Sequence, residues 1–395
     1  MSVKVTGLGI VSSIGLGVQE HEDALRHGQH GLKLPMFLNS IHKVPVGEVP
    51  YDLSDLKEML GLRKNKTVTR TALLGMIAAR EAVRDSKLDV EEQRIGIISG
   101  TSVGGMDLTS VFYKDYMVNS LCGRISNVVG HDCFDSTYRI AQDSRLSGYS
   151  TTISTACSSA ANAIMTGCRM IEAGILDCVV VGGTDALSLF TLNGFKSLMI
   201  LDDELCRPFD KSRKGLNLGE GAAYLMLERD TLRAGHEGYG YVKGWANSND
   251  AFHQTASSDN GEGAFRAMSK ALTRAGMIDI RPDYINAHGT GTPNNDSSEV
   301  KAMERLWGDS IPMFSSTKSY TGHTLGAAGA IEAVISFLSL KNSLIWPSLR
   351  FNQSDDDVRS TPETILKVQK GLKNVMSNSF GFGGNCTSLI FSIDK

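Results

Sequence analysis

Residues 153–168, ISTACSSAANAIMTGC, set one cysteine among serines, threonines and alanines where an apolar strand pattern gives way to a helical one. After Cys157, apolar residues recur at Ala161, Ile164, Cys168, Ile171 and Ile175, the alternating three and four spacing of one buried helix face. The spacing predicts a helix with Cys157 at its first turn. Free backbone N–H groups and the positive end of the helix dipole favour an anion there, so a thiolate is stabilised relative to the thiol. Two explanations fit these residues: a nucleophile, or a small buried side chain filling a tight strand-to-helix turn. Other parts of the chain separate them.

At 395 residues the chain is long enough for two domains or for one extended α/β unit around a large core. A hydrophobic fraction of 41% and 41 glycines suit a compact globular enzyme and place the chain outside the disordered class. The net charge of −3 argues against a nucleic-acid surface, while a local basic patch remains compatible with an acidic partner. The cysteines at 122, 133, 157, 168, 178, 206 and 386 are odd in number and form no CxxC pair, so a reducing compartment is the simplest reading. The start, MSVKVTGLGIVSSIG, has no charged region leading into a long apolar stretch, and no run of 18 apolar residues occurs. A cytoplasmic protein with no membrane span is expected.

Apolar β-branched runs bounded by Gly or Ser recur at VKVTGLGIV, RIGIISG, STTIST, DCVVVGG, YINAH, MFSST and TSLIFSI. Helical patterns lie between several of them: TALLGMIAAREAVRDS, the stretch after Cys157, GAFRAMSKALTRAG and LGAAGAIEAVISFLSLKN. This is the α/β pattern, with strands covered on both faces. The Ser, Asn and Asp cluster around 247–260 is the best candidate for a seam. It divides the chain into two similar halves, 1–245 with the cysteine and 246–395 with the later motifs. CSSAANAI and HTLGAAGAI echo each other across that division, each placing a reactive side chain just before a helix whose first turns are nearly all small. Small residues there let backbones pack closely, so the two reactive groups are expected to converge where the halves meet.

Three further segments end a short apolar strand in a polar or Gly-rich loop. They are YINAHGTGTPNND with His288, MFSSTKSYTGHTLGAAGAIE with Lys318 and His323, and MSNSFGFGGNCTSL with Phe382. In open α/β proteins ligands bind outside the carboxyl ends of strands, which places all four loops at one candidate site. A metal is not expected, because His288 and His323 are far apart in sequence and no HxxxH or HExxH occurs. The opening GLGIVSSIG lacks the third glycine of a dinucleotide fingerprint and reads as a strand turn.

Taken in order, VTGLGIVSSIG, TACSSA, RPFDKSRKGLNLGEGAA, NAHGTGTPNND, SSTKSYTGHTLGAAGA and SNSFGFGG resemble the elongating β-ketoacyl-acyl-carrier-protein synthases of the thiolase superfamily over nearly the whole chain. The resemblance implies an α/β thiolase fold of five layers, αβαβα, and no cofactor. It also implies a homodimer, or a heterodimer with a homologous chain-length-factor subunit. The implied reaction is decarboxylative Claisen condensation of an acyl thioester with malonyl carried on acyl carrier protein. By resemblance, Cys157 takes the acyl group and the backbone N–H groups of Cys157 and Phe382 receive the oxyanion. The flanking Gly381 and Gly383 let that loop approach. His288 and His323 would donate hydrogen bonds to the malonyl thioester carbonyl as carbon dioxide leaves. Lys318 matches a lysine that orders the histidine region, and Glu332 a buried acid paired with it, costly to bury alone. Thr290 and Thr292 fall where the family binds the pantetheine arm, Phe382 where it has a gate, and Val103 where it lines the acyl tunnel.

Three features depart from the resemblance. Asn385 and Cys386 stand where GFGGTN has Thr and Asn, Leu216 stands where Phe is common, and the chain is somewhat short. These departures favour a specialised ketosynthase, such as one building a polyene beside an inactive partner, as the alternative to housekeeping fatty-acid elongation. A non-catalytic chain-length subunit would typically lack Cys157. A degradative thiolase would use a second cysteine as base, a role for which Cys386 is the only candidate near the C-terminus.

Overall fold

The computed structural model describes residues 3–90, 94–233, 235–356 and 358–395. Every strand and helix expected above forms, and ten of the strands fall into two sets of five with one topology. In the first set the spatial order is Ser150–Ile153, Gly96–Gly100, Cys178–Asp185, Gly221–Arg229, Val3–Ser12. In the second it is Met313–Ser315, Tyr284–Asn286, Asn374–Gly381, Asn385–Ser392, Gly240–Asn249. In each set the first three strands are parallel and the last two run antiparallel. The sets join where Val3–Val5 pairs antiparallel with Gly240–Val242. Residues 245 and 246 therefore lie inside the strand that opens the second set.

Helices Ser159–Glu172 and Ala328–Asn342 occupy equivalent places, each before the fourth strand of its half in chain order. They form the middle layer. Every residue of the second from Ala328 to Leu340 is buried, as a helix apolar on all sides requires. Its serines stay satisfied by back-bonding, Ser336 Oγ to the Glu332 carbonyl at 2.7 Å. The core between the sheets takes residues from both helices and the inner strand faces, among them Val181, Leu225, Val375 and Phe391. Burying a side chain such as Phe337 here contributes about 1.5–3 kcal/mol. Arg70–Ser86 covers the outer face of the first sheet; Glu262–Arg274 and Pro293–Trp307 cover that of the second. The five-layered αβαβα thiolase fold follows from this stacking.

The small residues at the helix starts act as expected. A Cβ on Gly329 would meet the Ala161 backbone nitrogen at 2.8 Å, so the two middle helices touch through their backbones. Two details differ from the sequence reading. The helix after the cysteine begins at Ser159, leaving Cys157 in the turn before it, and ends at Glu172, so Ile175 lies beyond the helix and is 65% exposed. Among the described residues no helix is long and apolar enough to cross a membrane.

Candidate active site

The stretch Thr155-Ala156-Cys157-Ser158 is a tight elbow. Ala156 adopts φ 52°, a left-handed conformation that costs a non-glycine residue about 1–2 kcal/mol. A neighbouring hydroxyl holds it: Ser159 Oγ donates to the Ala156 carbonyl at 2.6 Å and accepts the Thr155 N–H at 2.9 Å. That is the local reason for the second serine of TACSSA.

His323 arrives from the other half. Residues Asn217–Gly219 of the GLNLGEG motif grip its backbone, the His323 N–H donating to the Asn217 carbonyl and the Gly219 N–H to the His323 carbonyl. Its Nε2 lies 3.0 Å from Cys157 Sγ. The His288 ring stands edge-on to that of His323, with centroids 5.3 Å apart. Behind it, the ammonium of Lys318 reaches His288 Nδ1 at 3.2 Å, donates to the His288 carbonyl at 2.6 Å, and pairs with Glu332.

Both ring tautomers follow from these contacts. Lys318 Nζ carries only donors, so His288 Nδ1 is its acceptor; the Leu325 N–H likewise donates to His323 Nδ1 at 3.2 Å. Each ring proton then sits on Nε2, and that of His323 faces the cysteine. Burial, reinforced by the positive charge of Lys318, holds both imidazoles well below their ordinary range, so they are neutral donors.

The thiol is not the resting thiolate that the helix terminus predicts. Burial pushes Cys157 up to about 11, outweighing Lys318 and the two backbone N–H groups, of Phe382 and Cys157, that point at the sulfur. Desolvation exceeds the dipole because the sulfur is enclosed. Burial also lifts Glu332 to about 7, against the pull of Lys318.

Cys157, His288 and His323 place their ligand atoms within 4.8 Å of one another, although they are distant in sequence. A histidine that binds a metal donates its other N–H to an acceptor. Here Nδ1 of each ring faces a donor instead, so the surroundings suit two hydrogen-bond donors better than two metal ligands.

A cavity of about 330 Å³ opens onto these three residues. Thr290, Thr292, Gly381, Phe382 and Gly383 line it, and Phe382 stacks on Phe195 with ring centroids 5.8 Å apart. At Gly381 a Cβ would press on the elbow, 3.2 Å from the Cys157 nitrogen, and Gly383 takes φ 80°. Val103 lies outside the lining, in a loop that packs on the elbow through Ser102 Oγ and the Ala156 carbonyl.

Sequence reasoning missed several residues. The polar run around 247–260 also covers the cavity: Asp250, His253 and Thr255 line it, and Gly383 donates to the Gln254 carbonyl at 2.8 Å. Asp296 and Glu299 brace the loop of His288. Glu299 accepts the N–H groups of His288 and Gly289, and Asp296 those of Thr290 and Gly291. The signal available was two acids three apart in PNNDSSEV, directly after a Gly-Thr loop. The departures at 385 and 386 separate in space. Cys386 lines the cavity but is not one of the clustered ligand atoms, and burial raises its thiol far above its usual value. Asn385 turns inward under the elbow.

Residues 1–232 match the profile of the β-ketoacyl synthase N-terminal domain and residues 239–352 that of the C-terminal domain. The 3-oxoacyl-[acyl-carrier-protein] synthase 2 of Staphylococcus aureus (strain COL) is 32% identical over 416 residues, covering 98% of this chain and 97% of the relative. The ishigamide ketosynthase/chain length factor superposes with a TM-score of 0.93 at 30% identity, over 99% of this chain and 98% of that one. A ketosynthase in complex with its chain length factor from Xenorhabdus doucetiae gives 0.82 at 31% identity, again over 99% and 98%. With both domain profiles matched in order and relatives aligned almost end to end, the chain belongs to the β-ketoacyl synthase family.

Proposed function

We propose that the chain condenses an acyl thioester with malonyl carried on acyl carrier protein, with Cys157 as the nucleophile. Cys157 exchanges with the incoming thioester: its sulfur bonds the acyl carbon, the carrier thiol leaves, and the thiol proton passes to it. The Cys157 and Phe382 N–H groups stabilise the tetrahedral oxyanion. Malonyl then enters along Thr290 and Thr292. Loss of carbon dioxide leaves an enolate whose oxygen takes hydrogen bonds from His288 Nε2 and His323 Nε2, and its carbon attacks the acyl group on Cys157. The thiolate released takes up one proton.

The observation that carries this reading is the cluster of two neutral imidazoles with one thiol, His323 Nε2 at 3.0 Å from Cys157 Sγ and each tautomer held by a donor behind it. A degradative thiolase needs a second thiol as base, and Cys386 is outside the cluster. A subunit that only shapes a partner's tunnel has no use for the assembled triad. The test is mass spectrometry of Cys157 after co-expression with neighbouring genes, with carbon dioxide release from malonyl carrier protein. An acyl adduct on Cys157 is expected; an adduct on Cys386 refutes the assignment.

A homologous subunit is the proposed partner beside the carrier protein. Helix Met106–Val118 buries no residue, Val118, Leu121 and Ile125 are 86%, 93% and 72% exposed, and strand Ser150–Ile153 leaves its sheet edge open. Such exposed apolar side chains, close together in the chain, call for a cover. A chain-length-factor partner is the second reading, favoured by the two ketosynthase/chain length factor structures at 30% and 31% identity.

A further inference from the structure

The turn Phe382–Gly384 joins strands Asn374–Gly381 and Asn385–Ser392, whose register pairs Gly381 with Asn385. Phe382 supplies one of the two N–H groups at the sulfur; Cys157 itself supplies the other. Nothing covalent sets their spacing, because they belong to opposite halves of the fold. Asn385 bridges the gap. Its Oδ1 accepts from Ser158 Oγ at 2.7 Å, from Asn162 Nδ2 at 3.0 Å and from Asn247 Nδ2 at 2.7 Å. Ser158 is the next residue after Cys157, and Asn162 stands on the first turn of the helix that follows. The cluster closes on itself: Asn162 Oδ1 accepts from Asn247 Nδ2 at 3.1 Å and from Thr387 Oγ1 at 2.9 Å, and Asn162 Nδ2 reaches Thr155 Oγ1 at 2.9 Å.

Packing alone does not account for an oxygen that gathers three donors from two other elements. A threonine hydroxyl, the residue the family pattern leads one to expect here, is one bond shorter and brings a proton of its own, so it cannot receive the same three donors. We infer that Asn385 is a positioning residue for acyl transfer, its carboxamide oxygen holding the Cys157 and Phe382 N–H groups at the spacing that receives the oxyanion. The inference rests on the acyl-transfer reading above. A misplacement of about 1 Å in such a donor pair costs on the order of a hundredfold in rate.

The test compares two reactions of one thiol in the isolated full-length chain. Acetyl-, hexanoyl- and dodecanoyl-pantetheine report single-turnover acylation of Cys157, which passes through an oxyanion. Iodoacetamide reports alkylation, in which sulfur displaces iodide from carbon and no oxyanion forms. Asn385→Ala is expected to slow acylation by about tenfold to a hundredfold while alkylation stays within about threefold. Asn385→Asp, which keeps the accepting oxygen, is expected to restore the ratio of the two rates to within about threefold of wild type. If Asn385→Ala does not fold, Ser158→Ala removes one of the three bonds and is expected to lower the same ratio by about threefold or more. An unchanged ratio in the variant, or a parallel fall in both rates, overturns the inference and makes Asn385 a packing residue. A wild-type chain that is alkylated at Cys157 but never acylated overturns the acyl-transfer reading and this inference with it.

Discussion

Replacing Lys318 with methionine separates what the buried lysine does for the fold from what it does for the reaction. Methionine keeps much of the aliphatic volume and loses every donor. Lys318 and Glu332 are 2% and 3% exposed, and removing one member of a buried pair costs about 3–5 kcal/mol because the other charge stays behind. The loss is pH-dependent. Burial holds the folded Glu332 carboxyl at about 7 against 4.5 for the free group, and without Lys318 it goes higher. The folded state then keeps a proton that the unfolded chain releases above pH 4.5, so the deficit is smallest in acid and grows as pH rises through 7 and beyond. The second loss is chemical. His288 Nδ1 no longer faces a cation, the ring proton is free to move there, and Nε2 ceases to be a fixed donor. Losing one such donor costs about 2.7–4 kcal/mol, on the order of 100- to 1000-fold in decarboxylation.

Urea unfolding and carbon dioxide release from malonyl-pantetheine measure the two losses separately. The double variant Lys318→Met/Glu332→Leu removes both charges, so most of the stability is expected to return while decarboxylation stays low. A single variant that decarboxylates within about fivefold of wild type would falsify the tautomer argument, as would a double variant that regains activity along with stability.

Cys157→Ala is expected to abolish acyl transfer and, by mass spectrometry, all acyl adducts; retained condensation ends the nucleophile assignment. His288→Ala and His323→Ala are each expected to slow malonyl decarboxylation by on the order of a hundredfold, with a smaller effect on acylation of Cys157. Equal loss of both steps would mean that the rings only support the fold or the thiol. Because burial raises the Cys157 thiol to about 11, its alkylation by iodoacetamide is expected to climb steadily from pH 7 to about pH 10, roughly tenfold per unit. A plateau near pH 7 would show instead that the helix terminus prevails over desolvation.

The order of motifs in the chain, read without coordinates, was enough for the reaction class and for the two helices that carry it. TACSSA before an apolar three-four pattern specifies a strand-to-helix elbow through a hydroxyl that satisfies it, and the small residues of TGHTLGAAGA, which follow the short helix Lys318–Thr321, admit a neighbouring backbone. Gly329 against Ala161 is the outcome. Strand Gly221–Arg229, GAAYLMLER, was not legible, because Ala, Leu, Met and Glu favour helices. It is a strand only because it lies between Val3–Ser12 and Cys178–Asp185 and is buried on both faces. That the run at 247–260 lines the cavity was not legible for a related reason: composition records only that a segment is polar.

The electrostatics of the site were decided by tertiary structure alone. A helix terminus is visible in sequence and argues for a thiolate. Desolvation depends on every atom around the sulfur and reverses that sign. The tautomers of His288 and His323 hang on single contacts, to Lys318 and to the Leu325 N–H, and the role of Asn385 depends on which three donors reach one oxygen. Local sequence determines which groups are present and which turns they can make. Their charge, proton position and spacing arise between segments far apart in the chain, and exist only once the two halves have closed on one another.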